Sequence, residues 1–143
     1  MELTVGDVVL CEFYFADLAT SKKRPVLIFK NNLPYDDFIA IPISSQLVNL
    51  HQDEQLLEAI HFSSGGIPKT SKVMIRKTMV VSKQVVIKKY GTIDKAYFSQ
   101  LKQRFCGYFS CYGIKGVRSL YCFCWEETLT RALRTLSPRE KDI

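Results

Sequence analysis

Val8-Val9-Leu10-Cys11-Glu12-Phe13-Tyr14-Phe15, Pro25-Val26-Leu27-Ile28-Phe29 and Phe38-Ile39-Ala40-Ile41 are the three runs that decide the fold. Each is short and built from aliphatic and aromatic residues, the composition of a well-buried β-strand. Between them, Ala16 to Lys23 reads as a polar loop and Lys30 to Asp37, with Asn31-Asn32 and Pro34, as a turn. The third run is expected to stop near Pro42, because proline lacks the N–H that a strand ladder uses.

Downstream, residues 46–55 are polar, and Leu56 to Phe62 reads either as a fourth strand or as a helical turn. Ser63-Ser64-Gly65-Gly66-Ile67-Pro68 reads as a loop. Lys72 to Val81 and Val85 to Tyr90 are β-rich stretches around Ser82-Lys83-Gln84. Asp94 then has the chemistry of a helix N-cap, with Ala96, Phe98, Leu101 and Phe105 following at partly helical spacing. The predicted class is mainly β with a terminal helix, closed or half-closed into a small barrel. A doubly wound α/β sheet is excluded, because no helix of useful length separates the strands.

A chain of 143 residues holds one ordinary domain. It is large enough to bury a core without a disulfide or metal staple. Residues 1–105 are expected to form the barrel with its terminal helix. Residues 106–143, rich in cysteine and aromatic side chains, read as an extension packed on it, with a helix over Trp125 to Leu136.

The net charge is +6 and the sequence pI about 9.1, which favours polyanionic partners. No segment approaches the ~20 apolar residues of a membrane helix. The acidic start, Met1 to Asp7, lacks a basic stretch followed by an apolar one, so a cytoplasmic location is expected. Five cysteines are an odd number, and Cys106, Cys111, Cys122 and Cys124 crowd the C-terminal quarter. Unpaired thiols in a reducing compartment fit better than a disulfide scaffold.

No phosphate-binding glycine loop and no dinucleotide signature is present. The spacing Cys106-x4-Cys111-x10-Cys122-x-Cys124 is poor for zinc, so no metal and no cofactor is expected. His51 and His61 have the right chemistry for proton transfer, yet read as a loop and a strand-edge histidine. Asp36-Asp37 and Asp53-Glu54 read as solvated turns.

Three features remain. Gly6-Asp7 opens the first strand, Ser21-Lys22-Lys23-Arg24-Pro25 stands at the mouth of the second, and Ile41-Pro42-Ile43-Ser44-Ser45-Gln46 ends the third. Antiparallel neighbours would set Arg24 near Ser44. A permanently charged guanidinium beside hydroxyls and an amide is a phosphate-recognition set. A basic turn beside a polar strand end explains the same residues without any site.

At these positions the sequence resembles the MazF/PemK family of toxin–antitoxin ribonucleases. The matching pieces are Gly6-Asp7-Val8-Val9-Leu10 through Phe13, Asp17-Leu18, Lys22-Lys23-Arg24-Pro25-Val26-Leu27 and Phe38-Ile39-Ala40-Ile41-Pro42-Ile43-Ser44-Ser45-Gln46. Gly66-Ile67-Pro68-Lys69, Ser71, Lys77 and Val85 to Gly91 continue the pattern. The likeness covers roughly residues 3–105 and leans to the PemK-like branch.

The resemblance implies an SH3-like barrel, a homodimer in the cytoplasm with a cognate antitoxin as partner, cutting single-stranded RNA without a metal and inhibiting growth. It places the catalytic pair on Arg24 and Ser44, and substrate contacts on Ser21, Lys22, Lys23, Ser45, Gln46 and Lys77. The sequence departs from the family pattern at Ser44, where most members carry threonine, and at Met74, where relatives often carry a basic residue. Two other readings compete. One is a non-catalytic barrel toxin of the CcdB type that binds DNA gyrase or RNA. The other is a regulatory module whose cysteine-rich tail contacts a partner.

Overall fold

In the computed structural model, which describes residues 2–14 and 19–110, the three apolar runs become three neighbouring antiparallel strands. They are β1 (Asp7–Tyr14), β2 (Ser21–Lys30) and β3 (Asp37–Ser44). Five shorter strands follow: β4 (Glu54–Leu57), β5 (Phe62–Gly65), β6 (Ser71–Met74), β7 (Met79–Ser82) and β8 (Val86–Ile93). Three 3-10 turns lie between them, and α1 (Lys95–Phe109) ends the described chain. The sheet order is β4-β6-β3-β2-β1-β8-β5, with β7 also on β3. It curls into an antiparallel half-barrel.

Two compact units result, Met1–Leu101 and Lys102–Ile143. In the second, the described residues carry the last turns of α1, where the Phe105 and Phe109 rings meet at 4.7 Å between centroids, tilted by 51°. The extension's Cys111, Cys122, Cys124 and expected helix at Trp125 to Leu136 lie outside the described residues, as do Phe15 and Asp17-Leu18.

The central strands bury both faces. Val9, Cys11, Val26, Ile28, Phe38, Ala40 and Val81 form one core cluster, edged by Leu3, Phe13, Met79, Val85 and Val86. The alternate residues Leu27, Phe29, Ile41 and Ile43 turn to the other face. There Phe98 of α1 meets Phe29 at 5.5 Å between ring centroids. Burying side chains of this size contributes about 1.5–3 kcal/mol each.

Asp94 caps α1 as expected: its Oδ1 accepts the Tyr97 N–H at 2.6 Å. The Tyr97 hydroxyl donates to the Leu56 carbonyl at 2.8 Å, tying the helix to β4. Among the described residues no helix is long and apolar enough to cross a membrane.

Four local expectations are corrected. β3 runs on past Pro42 to Ser44. Its outer partner changes there, from β7 over Asp37 to Ala40 to β6 at Ile43 and Ser44, so on that edge the missing N–H falls between two ladders. β2 begins at Ser21, inside the expected loop, because Ser21 to Arg24 pair with Tyr14 to Cys11. Leu56 to Phe62 is divided between the end of β4, a 3-10 turn at Ala59–His61 and the start of β5. Ser63 to Gly65 is strand rather than loop, held against β8 through the pair Gly65 and Gly91. A Cβ on Gly91 would meet the Ser64 carbonyl oxygen at 2.4 Å, so glycine permits this close approach.

Candidate active site

The register of β2 on β3 pairs Val26 with Pro42, Leu27 with Ile41 and Ile28 with Ala40. The observed pairs end at Val26 and Pro42; Arg24 and Ser44 each lie two residues beyond that last pair, at the same end of the two strands, and alternation puts them on the face of Val26 and Pro42. Directly opposed residues of antiparallel strands share a face. That face is the one occupied by Val26, Cys11 and Ala40, opposite the face on which α1 meets Phe29.

Arg24 is half-buried beside Cys11 of β1. Among the described residues its guanidinium has no ion pair. Ser44 is also half-buried, and its Oγ accepts the Gln46 N–H at 3.2 Å. This local turn satisfies the hydroxyl as an acceptor and leaves its proton to be donated elsewhere. Ser45 and Gln46 follow as exposed residues at the rim.

Strand alternation divides the basic run. Lys22, opposite Phe13, shares the face of Arg24. Ser21 and Lys23 turn to the other face, where the Ser21 hydroxyl donates to Glu12 at 2.8 Å. Lys77 is exposed on the 3-10 turn between β6 and β7, on the side of β3 away from β2. Alternation thus puts Arg24 and Lys22 of β2 and Ser44 of β3 on one face, with Ser45 and Gln46 following Ser44, and turns Ser21 and Lys23 to the other.

A further residue, unmarked by any motif, stands beside Ser44. Lys72 of β6 pairs with Ser44 across the strands. Its side chain is only 10% exposed, and Nζ lies 2.6 Å from Glu54 Oε2. Glu54 Oε1 accepts the His51 N–H at 2.9 Å. Burial acts most strongly on this carboxyl and raises its pKa. The hydrogen bond and charge of Lys72, with the His51 contacts, outweigh burial and hold it below the usual glutamate value.

Several other polar candidates have structural partners. Asp7 is fully buried, accepting from the Thr4 N–H and the Thr92 hydroxyl at 2.8 Å each, with Lys89 at 3.3 Å. The His61 Nδ1 accepts the Glu58 N–H at 2.9 Å, and its ring lies against Tyr97. Asp36 pairs with Lys83 and Asp53 with Arg76. Burial pushes the Cys11 thiol up to about 11.

A curled antiparallel half-barrel followed by one helix, with a basic and hydroxyl-bearing row at the ends of β2 and β3, defines a small SH3-like barrel. Residues 4–109 match the family described as PemK-like, MazF-like toxin of type II toxin–antitoxin system, and the chain belongs to that family. No curated protein matches it in sequence.

Among solved structures, the MazE–MazF complex from Deinococcus radiodurans is similar with a TM-score of 0.60 and 14% identity, over 76% of this chain and 96% of that one. An endoribonuclease in complex with its cognate antitoxin, from a mycobacterial species, gives 0.57 and 16% over 76% and 96%. The Mycobacterium tuberculosis toxin MazF-mt6 gives 0.55 and 17% over 71% and 96%. At these identities the likeness shows the shared fold.

Proposed function

We propose that this toxin-family chain is a metal-independent endoribonuclease that cuts single-stranded RNA at a site built on Arg24 and Ser44, and that it inhibits growth by doing so. The observation that supports this reading is that Arg24 and Ser44 follow the last paired residues of β2 and β3 on one face, with the serine hydroxyl accepting from the Gln46 N–H.

In this reading the RNA supplies its own nucleophile. The 2′-hydroxyl oxygen attacks the adjacent phosphorus, a P–O bond forms, and the bond to the 5′-oxygen breaks. The 2′-hydroxyl loses its proton and the departing oxygen gains one. The products are a 2′,3′-cyclic phosphate and a 5′-hydroxyl, and DNA, lacking the nucleophile, is spared. Negative charge builds on the non-bridging oxygens, where the Arg24 guanidinium and the Ser44 O–H donate. Arginine stays protonated, so Arg24 stabilises charge and does not take the 2′-hydroxyl proton. Ser45 and Gln46 orient the substrate at the rim, and Lys22 holds its backbone.

The implied partner is a cognate antitoxin, as in the complexes of the solved relatives. A chain of net charge +6 suits an acidic segment laid over the basic face. The test is to incubate the purified protein with a long single-stranded transcript in excess EDTA and map the product ends. Discrete cuts with 5′-hydroxyl ends support the reading. An intact transcript with folded protein would refute it and turn the search to a bound target such as DNA gyrase.

A further inference from the structure

Among the groups that the proposed chemistry leaves unused, the Lys72–Glu54 pair lies nearest to it. Lys72 stands directly opposite Ser44 on the next strand, on the side away from Arg24. Neighbouring strands lie about 4.8 Å apart, so Ser44 and Lys72 are adjacent, and the end of β2 that carries Arg24 lies on the other side of β3. A phosphate seated over the central hydroxyl falls within reach of both long cationic side chains.

Burying a lysine and a glutamate together is costly, and such a pair adds little stability over apolar residues of the same size. The position of the pair is better explained by what its charge meets from outside. An ammonium carries three donors. Glu54 Oε2 takes one, and among the described residues Lys72 has no second partner. The carboxylate fixes the ammonium's location. Lys72 shares the face of Ser44 through their strand pairing.

We infer that Lys72 is a phosphate-contacting residue for single-stranded RNA, held beside the Ser44 hydroxyl by Glu54 and flanking the bound phosphate on the side opposite Arg24. This rests on the ribonuclease reading of the same face. Lysine serves here as a localised point charge, whereas Arg24 offers a planar fork. Lys72 thus strengthens substrate binding, while Arg24 and Ser44 meet the charge that develops in the reaction.

The experiment compares Glu54→Gln with the double variant Glu54→Gln, Lys72→Met. Removing Lys72 alone would take the cation from a buried carboxylate and endanger the fold. In the Glu54→Gln background that charge is already gone, and the two proteins differ by one ammonium. Melting temperatures confirm that both are folded. The probe is a short mixed-sequence 2′-O-methyl RNA, which lacks the nucleophile and cannot be cut. Its affinity is measured across a series of salt concentrations.

The double variant is expected to bind more weakly at low salt. The slope of log affinity against log salt should be shallower by about 0.7, the loss of one phosphate contact on a single strand. A lysine with only a structural role would leave that slope unchanged. Equal slopes in two folded proteins that bind the probe would overturn the role of Lys72 alone. No binding by wild type or either variant would overturn the ribonuclease reading and this inference with it.

Discussion

The Ser44 hydroxyl oxygen accepts the Gln46 backbone N–H at 3.2 Å, so one local turn orients the hydroxyl at the end of β3. The group needed for charge stabilisation is a donor O–H on an already oriented oxygen. Threonine preserves both features and adds a methyl; alanine removes both. Ser44→Thr is therefore expected to retain cleavage, and Ser44→Ala to lose it on the order of a hundredfold in kcat. Single-turnover cleavage with saturating enzyme checks this. Equal rates for Ser44→Ala and wild type would remove the hydroxyl from the mechanism.

Asp7 is a structural carboxylate. It collects the Thr4 N–H, the Thr92 hydroxyl and the Lys89 ammonium inside the sheet, joining the start of β1 to β8. Asp7→Ala leaves those donors without their acceptor. It should cost about 1.5–3 kcal/mol for each charged hydrogen bond that water cannot replace. Urea unfolding measures the loss, and cleavage per folded molecule should stay near that of wild type.

β5 depends on a backbone approach that no side chain can share. Gly91→Ala would drive a methyl into the Ser64 carbonyl oxygen and the Gly66 nitrogen, 2.4 and 2.8 Å from the ideal Cβ. The expected penalty is about 1–3 kcal/mol. Hydrogen exchange should show it first as lost protection along β5 and the facing part of β8.

The Glu54 carboxyl titrates below its usual value in the folded protein. Its ionised form is thus favoured by folding, and the stability it contributes is complete above the unfolded value near 4.5. That contribution falls as pH drops through the folded pKa. The stability difference between wild type and Glu54→Gln should be constant near neutrality and shrink below pH 4.5. A difference that grows on acidification would contradict the direction.

Cys11 is fully buried, and its thiol is pushed up to about 11. Thiolate is the reactive form. In the native protein at pH 8, Cys11 should resist iodoacetamide for far longer than in denaturant, as read by peptide mass spectrometry. Rapid labelling of the native form would show that β1 opens readily.

The three central strands are legible in the sequence because each buries both faces, leaving a continuous apolar run. The Asp94 cap is legible because its chemistry is local. Ser21 to Arg24 and Ser63 to Gly65 are strands without that signature. They are polar and, apart from half-buried Arg24, exposed, so only their pairing with β1 and β8 marks them as strand. Arg24 and Ser44 could be singled out as polar groups at strand ends. The division of Lys22 from Lys23 needs the observed extension of β2, since alternation applies only within a strand. Lys72 was hidden for a different reason. Its partner Glu54 is on another strand, and only the register of β6 against both β3 and β4 shows what it faces.

The central claim is that Arg24 and Ser44 together cut RNA through its own 2′-hydroxyl. The most direct measurement places wild type and Arg24→Ala, both shown to be folded, on one single-stranded RNA and on DNA of the same sequence, with EDTA in excess. Wild type should cut the RNA to 5′-hydroxyl ends and leave the DNA whole, with Arg24→Ala slower on the order of a hundredfold. Cleavage of the DNA, or an Arg24→Ala rate equal to that of wild type, would contradict the account.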